Sequence, residues 1–420
     1  MPGILKVPEI RNKILFTIFI LLVFRLLAHV PVPGVDLASL RSYLASSSLF
    51  SIFNIFSGGG FQNFSIITLG LTPYINASII LQLFTAVIPQ LEELSKEGES
   101  GRAKINQYTK LLTVPLAIIQ SYGMYFLLKS QGVVSNLDPL SLLVLVFSFV
   151  GGSLLLVWIG DLVTEQGIGN GVSLLIFAGI VSRLPASVYQ FISTLQASDL
   201  ADLILFVVLS LLVVLGIVYV NEGIRKIPVE YGRTGRSGAY SSSYLPLKVN
   251  QAGVIPIIFA VSVVLVPSIV GPPLLALPYG FLNTIGNFLV TYFSPQAVVY
   301  NIFYFMLVFA FTYFYTTFQF DPSKIADDLK KRGGFIPGIR PGKETERYLK
   351  NVTTRITLFG GVFLGLVAVM PFIVSSFVPI GNSVGGIGGT GLLIVVSVVL
   401  ETLRQLDSLN VTRSYDSFLN

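Results

Sequence analysis

The sequence predicts an all-α polytopic membrane protein: ten transmembrane helices in two inverted five-helix halves, with a re-entrant segment folded in after the first helix. Three observations carry that expectation. The 420 residues are 53% hydrophobic and only 11% charged, with a mean hydropathy of +0.78, a balance that soluble domains do not sustain. Ten apolar runs of roughly membrane length are spaced through the chain. The basic residues between those runs fall almost entirely on one side of the membrane they imply.

The first run, residues 14–30, is followed by Pro31-Val-Pro-Gly34 rather than a small-residue cleavage site, so it reads as a retained helix. The second, residues 73–88, covers about 24 Å at ~1.5 Å per residue, short of a hydrocarbon layer roughly 30 Å thick. Before it stand a short apolar piece at 50–56, then Ser57-Gly58-Gly59-Gly60, then residues 61–69 turning back toward Pro73. One crossing is therefore broken in two. Non-helical backbone at membrane depth survives only where protein buries it or a wet cavity meets it, so a cavity is implied. Further runs follow at 111–128, 140–159, 171–184, 203–220, 253–270, 300–318, 356–374 and 391–403.

With the amino terminus cytoplasmic, 23 of the 27 Lys and Arg residues lie in inside segments. Only Arg41, Lys129 and Arg183 lie outside, and Arg25 lies within the first helix. That asymmetry places both termini in the cytoplasm. Five helices per half give residues 1–186 and 187–420, the first half starting inside and the second outside, as inverted repeats require. Gly70-x-x-Pro73-x-Ile75-x-Ala77 recurs as Gly253-x-x-Pro256-x-Ile258-x-Ala260, and Gly169-x-Gly171 recurs as Gly389-x-Gly391. Such repeats put the working site at their interface.

Two inside loops are long. Residues 221–250 hold five basic residues around the Gly/Ser-rich tip Tyr231–Tyr240, and the flanks at Ile227-Pro228 and Leu245-Pro246 suggest a short hairpin. Residues 319–355 hold nine, with Gly333-Gly-Phe-Ile-Pro-Gly-Ile-Arg-Pro-Gly342 as a punctuated run. Topology needs only a few charges at helix ends, whereas Arg233, Arg236 and Arg340 sit at turn-rich tips suited to docking an acidic or RNA-rich partner.

Catalysis finds little to work with. The chain has no cysteine, no His-Glu-x-x-His, no Gly-x-Ser-x-Gly and no P-loop, and its one histidine, His29, lies with Arg25 at the outer end of the first helix. No metal site or cofactor is expected. No helix pairs carboxylates for ion coupling; Asp161 and Glu165 are expected in the fourth loop, solvated or salt-bridged. Leu71 and Ile75 share a helix face, as do Val172 and Ile176, a spacing that by itself is better explained by packing on neighbours. An inverted-repeat transporter of a small solute and an intramembrane enzyme are the alternatives to a passive channel.

The motifs Pro31–Asp36, Phe56-Ser-Gly-Gly59, Leu69–Ser78, Ser95–Arg102, Ile105–Thr109, Gly167–Gly171, Asn250–Pro256, Gln319-Phe-Asp-Pro322 and Phe335–Gly342 together resemble the SecY family of bacterial protein-conducting channels, in order and over nearly the whole chain. The resemblance implies a clamshell of two halves around an hourglass pore that passes unfolded signal-bearing polypeptides. By motif position its apolar constriction falls on Leu71, Ile75, Val172, Ile176, Ile258 and Ile394. A plug helix within about 50–64, containing Phe53, Asn54, Ile55, Phe56, Ser57, Gly58, Gly59, Gly60 and Phe61, would fill the outer funnel. Transmembrane segments would leave by a lateral gate between the second and third helices and the seventh and eighth. Arg233, Arg236 and Arg340 would dock the SecA motor ATPase and the translating ribosome; SecE and SecG would be membrane partners, in a bacterial inner membrane. Leu71 and Val172 stand where the family often has isoleucine, which keeps the ring apolar.

Overall fold

The computed structural model describes residues 8–32, 59–130, 132, 134, 137–182, 184–194, 200–231, 241–275, 279–294, 296–377 and 389–419. In chain order the helices are α1 (Pro8–Leu27), α2 (Thr72–Val87), α3 (Pro89–Lys96), α4 (Glu99–Ser130), α5 (Pro139–Gln166), α6 (Gly171–Val181), α7 (Leu184–Thr194) and α8 (Leu200–Glu222). After strands β1 (Ile224–Tyr231) and β2 (Ser241–Lys248) come α9 (Ile255–Leu275), α10 (Gly280–Tyr292), α11 (Val298–Gln319), α12 (Pro322–Lys331), strand β3 (Gly334–Phe335), α13 (Lys343–Phe377) and α14 (Gly389–Leu419).

Each of the ten apolar runs expected from the sequence falls on a helix of its own: α1, α2, α4, α5, α6, α8, α9, α11, α13 and α14. Among the described residues, six of these are long and apolar enough to cross a membrane, and a seventh forms if α2 and α3 count as one span bent by 100°. Proline causes that bend. Pro89 opens α3, and Ile88 before it is extended (φ −95°, ψ 113°), as a residue preceding proline prefers.

The first five of these helices meet the last five along two seams: α2 and α4 pack on α9, and α6 packs on α14. Between the seams lies the main core, an aliphatic cluster drawn from both sets. A second core under the turned segment gathers Val32, Phe61, Phe64, Leu128, Leu145 and Phe149.

Two expectations are corrected. Asp161 and Glu165 are not in a loop, because α5 continues past its apolar run to Gln166, and Asp161 is paired with Lys110 of α4 at 2.6 Å. Hydropathy marked where the hydrocarbon ends, whereas the helix ends at Gly167. The helix expected within about 50–64 is not present in its final part: residues 59–64 are turns, with Gly59 at φ +87° and Phe64 at φ +45°, neither of which helix permits. Residues 33–58, including Phe53, Asn54, Ile55, Phe56, Ser57 and Gly58 of the expected plug, lie outside the described residues.

Candidate functional site

The break before α2 is built from backbone that satisfies itself. Residues 59–71 run as successive turns: Ser65 N–H donates to Gly60 O at 2.9 Å, Thr68 N–H to Ser65 O at 2.9 Å and Gly70 N–H to Ile67 O at 2.9 Å. The end of α1 supplies an edge, with Ile66 N–H donating to Val30 O and Val32 N–H to Phe64 O. Phe61, Phe64 and Ile67 are fully buried, and Phe64 stacks edge-on against Phe149 of α5 at 5.2 Å. This is how irregular backbone persists where water is scarce. Arg25 of α1 donates to Ser182 Oγ at 3.2 Å, beyond the end of α6, and His29 Nδ1 donates to Arg25 O at 2.9 Å.

Gly70, at φ +58°, turns the chain into α2, whose second residue is Pro73. Gly253, at φ +64°, does the same before α9, whose second residue is Pro256. The recurring motif thus has one physical content in both places: a glycine in the left-handed region followed by a proline that needs no N–H donor in the first turn. It delivers Leu71 and Ile75 from one helix and Ile258 from the other.

The entry to α6 is equally constrained. Asn170 Oδ1 accepts from Ser173 N–H at 3.0 Å, and Gly171 N–H donates to Thr164 Oγ1 at 2.9 Å. A Cβ on Gly171 would lie 1.9 Å from Gly160 O, so only glycine lets α6 start this close to α5. Val172 and Ile176 follow on that helix. Ile394 is on α14, three residues before Ser397, which accepts from Asn221 Nδ2 at 2.8 Å. Asn221 Oδ1 in turn accepts from Asn250 at the root of α9 at 2.7 Å, and Arg404 Nη2 donates to Asn221 O at 2.8 Å and to Glu222 at 2.6 Å.

All six residues singled out from the sequence belong to the one aliphatic cluster: Leu71, Ile75, Ile176, Ile258 and Ile394 are buried within it, and Val172 packs half-buried against it. They come from four helices, two in each set of five. The phenols of Tyr300 and Tyr304 are buried in the same cluster, and Tyr74 and Tyr315 pack half-buried against it. Among the described residues no group of His, Cys, Asp and Glu could hold a metal ion.

Beside the cluster opens a cavity of about 1070 Å³, walled by α2, α3 and α4 on one side and by α11, α12 and α13 on the other. Its lining is polar for helices so apolar: Tyr74, Gln82, Asn106, Thr109, Thr353 and Thr357 face it. Tyr74 donates to Asn106 Oδ1 at 3.3 Å, while Gln82 Oε1 and Thr353 Oγ1 are buried without a hydrogen-bond partner among the described residues. This is not the cavity expected at the turned segment, none of whose described residues line it; that backbone is buried by protein instead. The lining residues were not singled out from the sequence, although Ser78 and Gln82, and Ile105 and Thr109, share helix faces at a spacing of four.

The two long loops meet. β1 pairs antiparallel with β2, from Ile224 opposite Lys248 to Tyr231 opposite Ser241, which is the expected hairpin. β1 also pairs with β3, Glu230 opposite Phe335 and Tyr231 opposite Gly334, giving the sheet order β2-β1-β3. A third core, with Ile227, Val229, Leu247, Leu329, Ile336 and Leu349, fastens that sheet to α12 and α13. Arg340 is exposed on the following turn between Gly338 (φ +80°) and Gly342 (φ +99°), its carbonyl accepting from Thr345 Oγ1 at 3.0 Å. Arg233 and Arg236 lie outside the described residues.

Comparison with known proteins gives one answer. The SecY family model matches residues 65–403. A protein translocase subunit SecY from Aquifex aeolicus is 40% identical over 433 residues, covering 100% of this chain and 99% of that one. A solved SecY structure, described as that of a translocation channel whose plug domain stabilises the closed state and maintains a membrane seal, aligns at a TM-score of 0.67 with 22% identity, over 98% of this chain and 97% of the other. Sec61 from the canine ribosome-channel complex aligns at 0.64 with 22% identity and the same coverage.

Proposed function

Because the chain belongs to the SecY family, we propose that its constriction is the aliphatic ring Leu71, Ile75, Val172, Ile176, Ile258 and Ile394, closed between two inverted halves. The chain is the pore subunit of a Sec translocon and a multi-pass membrane protein. The observation that carries the ring is that residues from α2, α6, α9 and α14 converge in one cluster at both seams between the helix sets.

The chemistry suits the task. A pore for unfolded chains must accept every side chain yet resist ions, and branched aliphatic groups do both, dewetting when the pore is empty and offering no directional bond when it is occupied. The seams supply the movement: separation of α2 and α4 from α9 opens a path toward lipid beside the polar cavity, the lateral gate. The segment at 50–64 is the plug.

Partners follow from the loops. The sheet that joins the two loops carries Arg340 on its following turn, and Arg340, Arg233 and Arg236 receive the SecA motor or the ribosome; SecE and SecG are the membrane subunits beside it. Both termini lie in the cytoplasm, halves 1–186 and 187–420 are the inverted repeats, and the membrane is the bacterial inner membrane. The resemblance of the fold to a ribosome-bound channel supports the ribosome, and the 23 basic residues on one side support the orientation.

Reconstitution tests this reading. Purified protein in liposomes, supplied with SecA, ATP and SecE, is expected to import a signal-bearing polypeptide. Import that fails under these conditions, with gradient-driven uptake of a small solute in its place, would overturn it.

A further inference from the structure

Helix α10, Gly280–Tyr292, lies outside everything assigned above and has three distinct faces. At 100° per residue, Leu282, Gly286 and Leu289 point one way, and this side is against α9: a Cβ on Gly286 would lie 2.8 Å from Leu275 N, and one on Gly271 would lie 3.0 Å from a Val290 methyl. Glycine at both contact points lets the two helices approach backbone to backbone. Further bonds fix the pair, with Ser268 Oγ donating to Phe293 O at 2.6 Å and Asn283 Nδ2 to Leu275 O at 2.9 Å.

A second side carries Phe281, Phe288 and Tyr292, spaced seven and four and so nearly superposed along the helix. Phe288 and Tyr292 stack at 4.9 Å, and the three are 76%, 53% and 46% exposed. The third side carries Asn283, Thr284, Asn287 and Thr291, all exposed. No residue from Tyr279 to Ser294 is charged. An aromatic stripe left uncovered beside a polar stripe equally uncovered is unfavourable in water and in hydrocarbon alike; both are satisfied only at the boundary between them.

The helix stands at that boundary. α9 runs 21 residues from the root of the β1–β2 hairpin, a rise of ~32 Å at about 1.5 Å per residue, so α10 begins one bilayer away from the sheet. Val266 and Val270, exposed on the last turns of α9, continue the apolar surface toward it. We propose that α10 is an interfacial helix, lying in the membrane surface opposite the β1–β2 hairpin with Phe281, Phe288 and Tyr292 in the acyl boundary and Asn283, Asn287 and Thr291 in water. Its partner is the lipid headgroup and upper acyl region of the bilayer.

The chain has a single tryptophan, Trp158, and no cysteine, so both can be introduced as reporters. The full chain carrying Trp158→Phe with either Phe288→Trp or Asn287→Trp would be placed in phosphatidylethanolamine/phosphatidylglycerol vesicles containing nitroxide lipids. Phe288→Trp is expected to be quenched more strongly by a nitroxide near the headgroup than by one at the acyl end, and to be shielded from iodide; Asn287→Trp is expected to show the reverse accessibility. Where Trp158→Phe impairs folding, Phe281→Cys and Asn287→Cys bearing spin labels report the same contrast through oxygen and nickel accessibility in the otherwise native chain. Phe288→Trp open to iodide would place the helix in water, and shielding from both lipid and iodide would mean that another protein, or a second copy, covers the stripe; either overturns the proposal.

Discussion

The carbonyl oxygen of Ile66 rests in a notch on α5 left by Gly152: a Cβ built on that glycine would lie 1.9 Å from the oxygen. The turned segment before α2 and the fourth expected crossing are therefore in backbone contact. A methyl group is enough to part them. Gly152→Ala is expected to destabilise the protein by about 1–3 kcal/mol through overpacking, read as a lower midpoint in thermal unfolding. Gly151→Ala, one residue away on the exposed side with nothing within 4 Å of its Cβ, is expected to be neutral or stabilising by about 0.5–1 kcal/mol. Equal effects from the two would show that the close approach does not exist.

A second prediction concerns the joined loops. Glu230 and Phe335 face each other across β1 and β3, where antiparallel partners stand about 4.5–5.5 Å apart between Cα atoms, inside the range a disulfide spans. Glu230→Cys with Phe335→Cys is expected to cross-link under mild oxidant in membranes. Lys226→Cys with Phe335→Cys, displaced four residues along the strand, is not. Absence of cross-linking in the first pair, with both thiols reactive, would separate the loops.

The sequence made most of the helices legible because burial of apolar side chains in lipid leaves long, charge-poor runs that need no partner to be recognised. The broken crossing was legible for the same reason, by its shortness and its glycines. Pairings between distant segments were not. β3 is two residues long, too short to show alternation, and its partner lies some hundred positions earlier. Lys110 and Asp161 meet across two helices, and nothing local to Asp161 announced the lysine. The polar wall formed by Gln82, Asn106 and Thr353 comes from three helices whose facing sides only the packing defines. Leu71, Ile75, Val172, Ile176, Ile258 and Ile394 were reached through motif position, since spacing alone fits any packed helix.

Arg340 is the proposed docking residue to test first. Arg340 is exposed, and the turn that presents it is stiffened by Pro337 and Pro341, with Gly338 and Gly342 supplying the left-handed backbone the turn needs. Arg340→Glu is expected to leave the unfolding midpoint unchanged while abolishing SecA-driven import. The wild-type affinity for SecA and for ribosomes is expected to fall with added salt, as it would for a contact between charged surfaces. Deletion of Arg233–Ser237 should weaken the same binding. Normal import by Arg340→Glu would remove this residue from the docking surface.

The ring is expected to be the ion seal. Water entering a closed aliphatic constriction gives up hydrogen bonds that Leu71, Ile75, Val172, Ile176, Ile258 and Ile394 cannot replace. Ile394→Asn or Ile258→Asn supplies a partner for that water. It also places an amide in the closed state at a cost of about 1–3 kcal/mol when left unbonded, which shifts the balance toward opening. The expected phenotype is a raised resting conductance together with relaxed signal-sequence stringency, since a signal then needs less binding energy to open the channel. Ordinary core packing predicts something else: lower expression and thermal stability with no current. Leu156→Asn separates the two, because Leu156 is buried in the same cluster but is not among the six. It is expected to lower stability and leave the pore tight. Planar-bilayer currents on wild type, Ile394→Asn and Leu156→Asn, matched for folded protein, decide the matter: a resting current in Ile394→Asn no greater than in wild type would move the seal away from the ring and onto the segment at 50–64.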